Sequence, residues 1–84
     1  MARSFSKLSI VYWNAHSIQN KQIEFFNYLS DYQIDIACIS ETWLNSQCSF
    51  NHPDYCIYRM DRTVNSKDGV AIVINKNIPH TPMS

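Results

Sequence analysis

Hydrophobic and polar positions divide the first half of the chain into strand, helix and strand. Residues 8–13 and 34–39 are almost continuously apolar, a pattern typical of strands that are covered on both faces in a parallel sheet. Between them, apolar side chains recur at the i, i+3, i+4 and i+7 spacing of one helical face. This predicted core face consists of Phe25, Tyr28, Leu29 and Tyr32, widened by Ile23 and Phe26. The pattern therefore predicts a right-handed βαβ unit with two parallel strands.

The second half of the chain predicts two more strands, at residues 55–60 and 70–74. Residues 61–69 join them, and Asp68-Gly69 is a turn signal typical of a β-hairpin. Gly69 is the only glycine of the chain, which excludes a glycine-rich phosphate-binding loop. The intervening residues 42–54 are polar and irregular apart from three side chains that we expect to anchor them, Trp43, Leu44 and Phe50. The predicted fold class is α/β, a βαβ unit followed by a hairpin.

The composition of the chain excludes several classes of protein. The 84 residues include 7 Lys+Arg and 7 Asp+Glu, so the net charge is zero and a strongly basic nucleic-acid-binding face is excluded. Three cysteines without CxxC spacing predict reduced thiols rather than a disulfide framework or a zinc site. The chain shows no apolar run long enough to span a membrane and no signal peptide, so we expect a nuclear or cytoplasmic protein.

Polar side chains follow both strands of the predicted βαβ unit. Asn14 ends the first strand and Glu41 follows the second, and the carboxyl ends of parallel strands meet at one edge of a sheet. A glutamate there is a candidate Mg²⁺ ligand, because magnesium sites often use one or two carboxylates plus phosphate oxygens and water. His16 lies near the same edge. The structural alternatives are a solvated carboxylate for Glu41, a turn residue for Asn14 and a loop residue for His16.

Other charged and histidine positions carry weaker signals. Arg59 and Arg62 flank Asp61 at the end of the third strand, where they either contact phosphate or form a local ion pair. His52 and His80 are predicted surface residues. No catalytic Ser/His/Asp or Cys/His arrangement can be built from the sequence.

Four ordered blocks of sequence resemble the start of an endonuclease/exonuclease/phosphatase domain of the DNase-I-like type. They are LSIVYWNAHSI, IDIACISETWL, YCIYRMDR and DGVAIVI. More narrowly, the chain is similar to the endonuclease domain of Jockey-like non-LTR retrotransposons. The resemblance implies a four-layer α/β sandwich of which this chain is a fragment. Residues 1–7 would be an N-terminal tail, residues 8–80 the N-terminal third of the domain, and residues 81–84 a truncated end.

The resemblance also implies roles for individual residues. Glu41 in ISETW matches the metal-binding glutamate, which implies Mg²⁺ as the cofactor, and Asn14 in WNAHS matches the active-site asparagine near the scissile phosphate. His16 and Ser17 depart from the Asn-x-x-Gly form of many relatives, which affects the expected turn more than the role of Asn14. Arg62 and His16 are candidate phosphate contacts. Asp61 and Arg62 match a recurrent retroelement block without an assigned catalytic step.

The activity implied for the intact protein is magnesium-dependent nicking of DNA, which primes reverse transcription. Its expected partners are DNA and a reverse transcriptase domain downstream in the same polyprotein, with no membrane. The family's tyrosine, Asp-x-Asn and Ser-Asp-His groups have no counterpart here, and His80 is not that histidine. A positioned base contributes about 10²–10⁴ in rate, so we expect the fragment to be inactive alone. The alternatives are a phosphatase of the same fold and a non-catalytic remnant or binding module that exposes apolar surface.

Overall fold

All four predicted strands and the helix form in the computed structural model, which describes residues 8–61 and 68–79. In chain order the elements are β1 (Ile10–Asn14), a 3-10 helix (Gln19–Lys21), α1 (Gln22–Asp31), β2 (Ile36–Ser40), β3 (Tyr55–Met60) and β4 (Val70–Asn75). β1 and β2 begin two residues later than the apolar runs predict. The predicted tail and truncated end, together with Arg62 and His80, lie outside the described residues.

The strands form one sheet in the order β1-β2-β4-β3. β1 and β2 are parallel, with Ile10 opposite Ile36 and Asn14 opposite Ser40, which confirms the predicted βαβ unit. β3 and β4 pair in antiparallel orientation, which confirms the hairpin. β4 also pairs with β2, so it lies inside the sheet and leaves β1 and β3 at the edges.

The core lies between α1 and one face of the sheet. Phe25, Phe26 and Leu29 of the helix are buried there over the strand residues Ala37 and Val73. The predicted helical face was partly wrong, because three of its members are largely exposed. These are Tyr28 at 42%, Tyr32 at 70% and Ile23 at 79%. The helix is only ten residues long, and the Phe25–Phe26 pair, rather than the tyrosines, turns toward the sheet.

The irregular segment after β2 is anchored as predicted. Leu44 and Phe50 are fully buried, and the ring centroids of Phe50 and Phe26 are 5.4 Å apart. His52 corrects the prediction of a surface residue, since its half-buried ring lies 4.7 Å from Phe26 and 5.1 Å from Tyr55. The segment therefore closes one side of the core.

The face of the sheet opposite α1 leaves apolar side chains exposed. Tyr12 is 85% exposed, and Met60 and Val70, which are opposite each other in the β3–β4 pair, are 73% and 51% exposed. The three cysteines are free thiols. None of the helices in residues 8–61 and 68–79 has the length and apolar character that crossing a membrane requires.

Candidate active site

Asn14 and Glu41 meet at the carboxyl edge of the parallel pair β1–β2. Asn14 is the last residue of β1, and Glu41 follows the last residue of β2, Ser40, which lies opposite Asn14. The side-chain nitrogen Nδ2 of Asn14 donates a hydrogen bond to Oε2 of Glu41 over 2.7 Å. The parallel pairing thus brings together two side chains that are 27 residues apart in the sequence.

His16 lies beside the same carboxylate. Its Nδ1 is 3.4 Å from Oε1 of Glu41, so the two oxygens of Glu41 face two different partners. The side chains remain accessible, with 67% of His16 and 35% of Glu41 exposed. The His16 ring also packs edge-on against Trp43 at 6.5 Å between centroids. The cluster of Asn14, His16 and Glu41 therefore has an open side from which a ligand can approach.

Backbone hydrogen bonds continue the parallel ladder past the strand ends and hold this cluster. The Ala15 amide donates to the Ser40 carbonyl over 2.9 Å, and the Ser17 amide donates to the Glu41 carbonyl over 3.0 Å. Lys21 supports the first loop from its other side, because its Nζ donates to the Ala15 carbonyl over 2.7 Å. The loop after β1 and the segment after β2 are therefore fixed to each other.

Left-handed backbone conformations concentrate at this edge of the sheet. The non-glycine residues with positive φ here are His16 (47°), Ser17 (80°), Glu41 (51°) and Trp43 (57°). Such conformations are unfavourable for residues with a Cβ and cluster at functional sites, where surrounding contacts hold them. Ser17 stands where many members of the resembled family carry glycine, and its φ of 80° is one that glycine adopts without cost.

Arg59 and Asp61 form the local ion pair rather than a free phosphate-binding group. Nη2 of Arg59 is 2.7 Å from Oδ2 of Asp61. The same guanidinium donates to the carbonyl of Cys48 over 2.9 Å and to that of Asn45 over 2.8 Å. Because these contacts occupy Arg59, the structure assigns it to the anchoring of the segment after β2.

The chemistry of this site centres on the Glu41 carboxylate, which both Asn14 and His16 face. Within the part of the chain that the structure describes, no three or more His, Cys, Asp or Glu side chains gather as a metal cluster. Sequence reasoning missed Thr42, which is fully buried directly after Glu41, and the contact it makes with Gly69. The isolated glycine after a predicted loop was the one signal that marks a close backbone approach there.

Comparison with known proteins finds similarity both in sequence and in structure. Over 78 residues the chain is 30% identical to the RNA-directed DNA polymerase from mobile element jockey of Drosophila melanogaster. The structure matches that of an AP endonuclease from Archaeoglobus fulgidus with a TM-score of 0.63 and 23% identity. The chain is thus similar over most of its length to part of a mobile-element RNA-directed DNA polymerase, and it shares the α/β fold of part of an AP endonuclease.

The extent of each match shows how much of each protein is shared with this chain. The stretch shared with the jockey protein is 92% of this chain and 8% of the relative, so the chain spans a small part of that protein. The match to the AP endonuclease covers 81% of this chain and 27% of the other. No family model matches the chain. The predicted resemblance and the α/β fold class are confirmed at this level.

Proposed function

We propose that this chain supplies part of the active site of a metal-dependent DNA endonuclease of a retrotransposon. In this proposal Glu41 binds a divalent cation, Mg²⁺, and Asn14 orients the scissile phosphate. The observation that carries it is the hydrogen bond of 2.7 Å between Asn14 and Glu41 at the carboxyl edge of two parallel strands. The similarity to the jockey RNA-directed DNA polymerase supports the retrotransposon assignment.

The donor set suits Mg²⁺ that is shared with substrate. Among the described residues, Asn14 donates to Oε2 of Glu41 and His16 lies beside Oε1, and a carboxylate oxygen has lone pairs for a further partner. Magnesium commonly takes one or two protein carboxylates and completes its shell with water and phosphate oxygens. When bound, the cation would polarise the phosphoryl oxygen and stabilise the developing negative charge.

The chain's own side chains bind and orient. Asn14 uses one N–H on Glu41, and its amide group has a second N–H that can donate to a phosphate oxygen. His16, exposed beside the carboxylate, is placed to donate to the same phosphate. We assign the general base to sequence outside this chain, as the resemblance implies, and therefore expect no nicking by the 84 residues alone.

The proposed partners are target DNA and a reverse transcriptase domain in the same polyprotein. The relative's name, an RNA-directed DNA polymerase, supports the second partner. Access to DNA agrees with the predicted nuclear or cytoplasmic location. Because the chain is electrically neutral, its affinity for DNA would come from the bound cation and from other parts of the protein.

A supercoiled-plasmid nicking assay with Mg²⁺ tests the proposal on two proteins, the 84-residue chain and a longer chain that includes the downstream reading frame. We expect the longer chain to nick, Glu41→Ala to lower its rate by about 10²-fold or more, and Lys76→Ala to leave it unchanged. The 84-residue chain should not nick. Equal rates for Glu41→Ala and the parent chain would overturn the metal-ligand role.

Two other outcomes separate the alternatives. Nicking by the 84-residue chain that disappears in Glu41→Ala would overturn its predicted inactivity. Release of phosphate from monoesters by the longer chain, without plasmid nicking, would replace the endonuclease by a phosphatase of the same fold.

A further inference from the structure

The segment that carries Glu41 has an unfavourable backbone conformation. Glu41 at φ 51° and Trp43 at φ 57° lie in the left-handed region on both sides of Thr42. Residues with a Cβ keep this conformation only where neighbouring contacts impose it. The direction of the Glu41 side chain therefore depends on whatever holds residues 41–43.

One set of contacts comes from the loop after β1. The Ser17 amide donates to the Glu41 carbonyl over 3.0 Å, and the Ile18 amide donates to the Thr42 carbonyl, also over 3.0 Å. These bonds hold the carbonyl side of the segment and leave its amide groups to other partners.

The loop before β4 supplies those partners at very close range. The Thr42 amide donates to the Gly69 carbonyl over 3.2 Å, and the Trp43 amide donates to the Asp68 carbonyl over 3.1 Å. Thr42 is fully buried, and a Cβ built on Gly69 would lie 2.5 Å from its Oγ1. Gly69 also has φ 113°, which residues with a side chain rarely adopt. Only glycine allows the two loops to approach this closely.

We propose that Gly69 and Thr42 are positioning residues, whose close packing holds the backbone of Glu41 so that its carboxylate meets the Asn14 amide. A side chain at position 69 would push Thr42 away and, through the peptide bond between them, displace Glu41. This inference deepens the proposed function, because the group it positions is the proposed metal ligand. The packing itself involves neither metal nor DNA.

The test follows the Asn14 side-chain amide by NMR in the ¹⁵N-labelled 84-residue chain, without metal or DNA. Asn14→Ala assigns the resonance, and Glu41→Ala gives its position when the hydrogen bond is absent. We expect Gly69→Ala and Thr42→Ala each to move the resonance toward the Glu41→Ala position. Thr42→Ser retains Oγ1 and should keep the parent position. Val70→Ala, next to Gly69 but 51% exposed on the open face of the sheet, should have no effect.

The double variant Gly69→Ala with Thr42→Ala separates the clash with Oγ1 from the strained φ of residue 69. Without Oγ1, the nearest atom of residue 42 to the new methyl is Cβ at 3.8 Å, an ordinary contact, but the φ of 113° and the loss of Oγ1 remain, so the resonance should stay displaced, and no further than in Gly69→Ala. The methyl signals of Val73 and Ala37, buried under α1, report whether each variant keeps its core. If Gly69→Ala loses the core, Thr42→Ala and Thr42→Ser still decide the question.

Three results would overturn the inference. The first is an Asn14 side-chain resonance that does not move in Glu41→Ala, and the second is a resonance that stays at the parent position in Thr42→Ala. The third is a displacement in Val70→Ala as large as that in Thr42→Ala. A separate Mn²⁺ titration of the parent chain, read as broadening of the Asn14 signal, tests the proposed function. Absence of broadening together with the expected shifts would reject the metal site and retain the positioning contact.

Discussion

Arg59 joins the third strand to the segment that follows Glu41, and removing it should release that segment. The guanidinium donates to the carbonyls of Cys48 and Asn45 over 2.9 and 2.8 Å while it pairs with Asp61 at 2.7 Å. The side chains of Arg59 and Asp61 are only 22% and 16% exposed, so solvent screening of the pair is limited. In Arg59→Ala both carbonyls lose the guanidinium N–H, although the Asn45 carbonyl keeps its bond from the Cys48 amide, and Asp61 loses its cation.

The magnitude follows from these contacts. A hydrogen bond to a charged group contributes about 1.5–3 kcal/mol, and water partly replaces the lost donor at the two carbonyls. We therefore expect Arg59→Ala to lower the free energy of opening of the segment by about 2 kcal/mol, which is roughly a 30-fold larger open population. Asp61→Asn keeps the shape of the pair and removes its charge, so about a fivefold increase is expected.

Chymotrypsin reports the open population, because Phe50 is fully buried in the closed segment and becomes a cleavage site when the segment opens. The cleavage rate after Phe50, followed by mass spectrometry, should rise in the order parent chain, Asp61→Asn, Arg59→Ala. Lys76→Ala removes a cation from an exposed position and is the matched charge control. A rate in Arg59→Ala within about threefold of the parent chain, or an equal increase in Lys76→Ala, would refute the anchoring role.

Three further predictions concern strain, packing and the open face of the sheet. Ser17→Gly relieves the strain of the φ of 80° and should raise the free energy of unfolding in urea by about 0.5–1 kcal/mol. Ser30→Gly within α1 should lower it, and a change of the same sign in both variants would contradict the strain argument. Phe50→Ala should cost about 3–5 kcal/mol, against about 1 kcal/mol or less for the exposed Tyr32→Ala, and equal costs would refute the assigned core. The chain should enhance the fluorescence of a hydrophobic dye, and the enhancement should be smaller in Tyr12→Lys, on the open face, than in Tyr32→Lys, at the end of α1. Equal emission from these two variants would show that the dye does not bind the open face.

Part of the geometry of the candidate site could be predicted from local pattern alone. Two apolar runs separated by a helix of suitable length allow one arrangement, a right-handed crossover with parallel strands. Parallel strands end at the same edge, so the positions of Asn14 and Glu41 in the sequence already imply that they are neighbours. The resemblance of four ordered blocks then added a fold and a chemistry that periodicity cannot supply.

Other features depended on contacts between residues far apart in the chain. The apolar stripe of α1 correctly included Phe26 in the core face but did not indicate that Tyr28 and Tyr32 stay outside, because that choice depends on the sheet and on Phe50 beneath the helix. Nor did the sequence indicate which alternative Arg59 adopts, since its acceptors are backbone carbonyls 11 and 14 residues away.

The amino-acid sequence by itself determined the order of strands and helix, the neutral charge and the edge at which Asn14 and Glu41 lie, because hydrophobic periodicity and the handedness of crossovers are local and general. Only the tertiary structure decided that β4 inserts beside β2 and brings Gly69 against Thr42. It also decided that Glu41 takes a left-handed conformation. These features depend on burial and hydrogen bonding between distant segments, which no local pattern encodes.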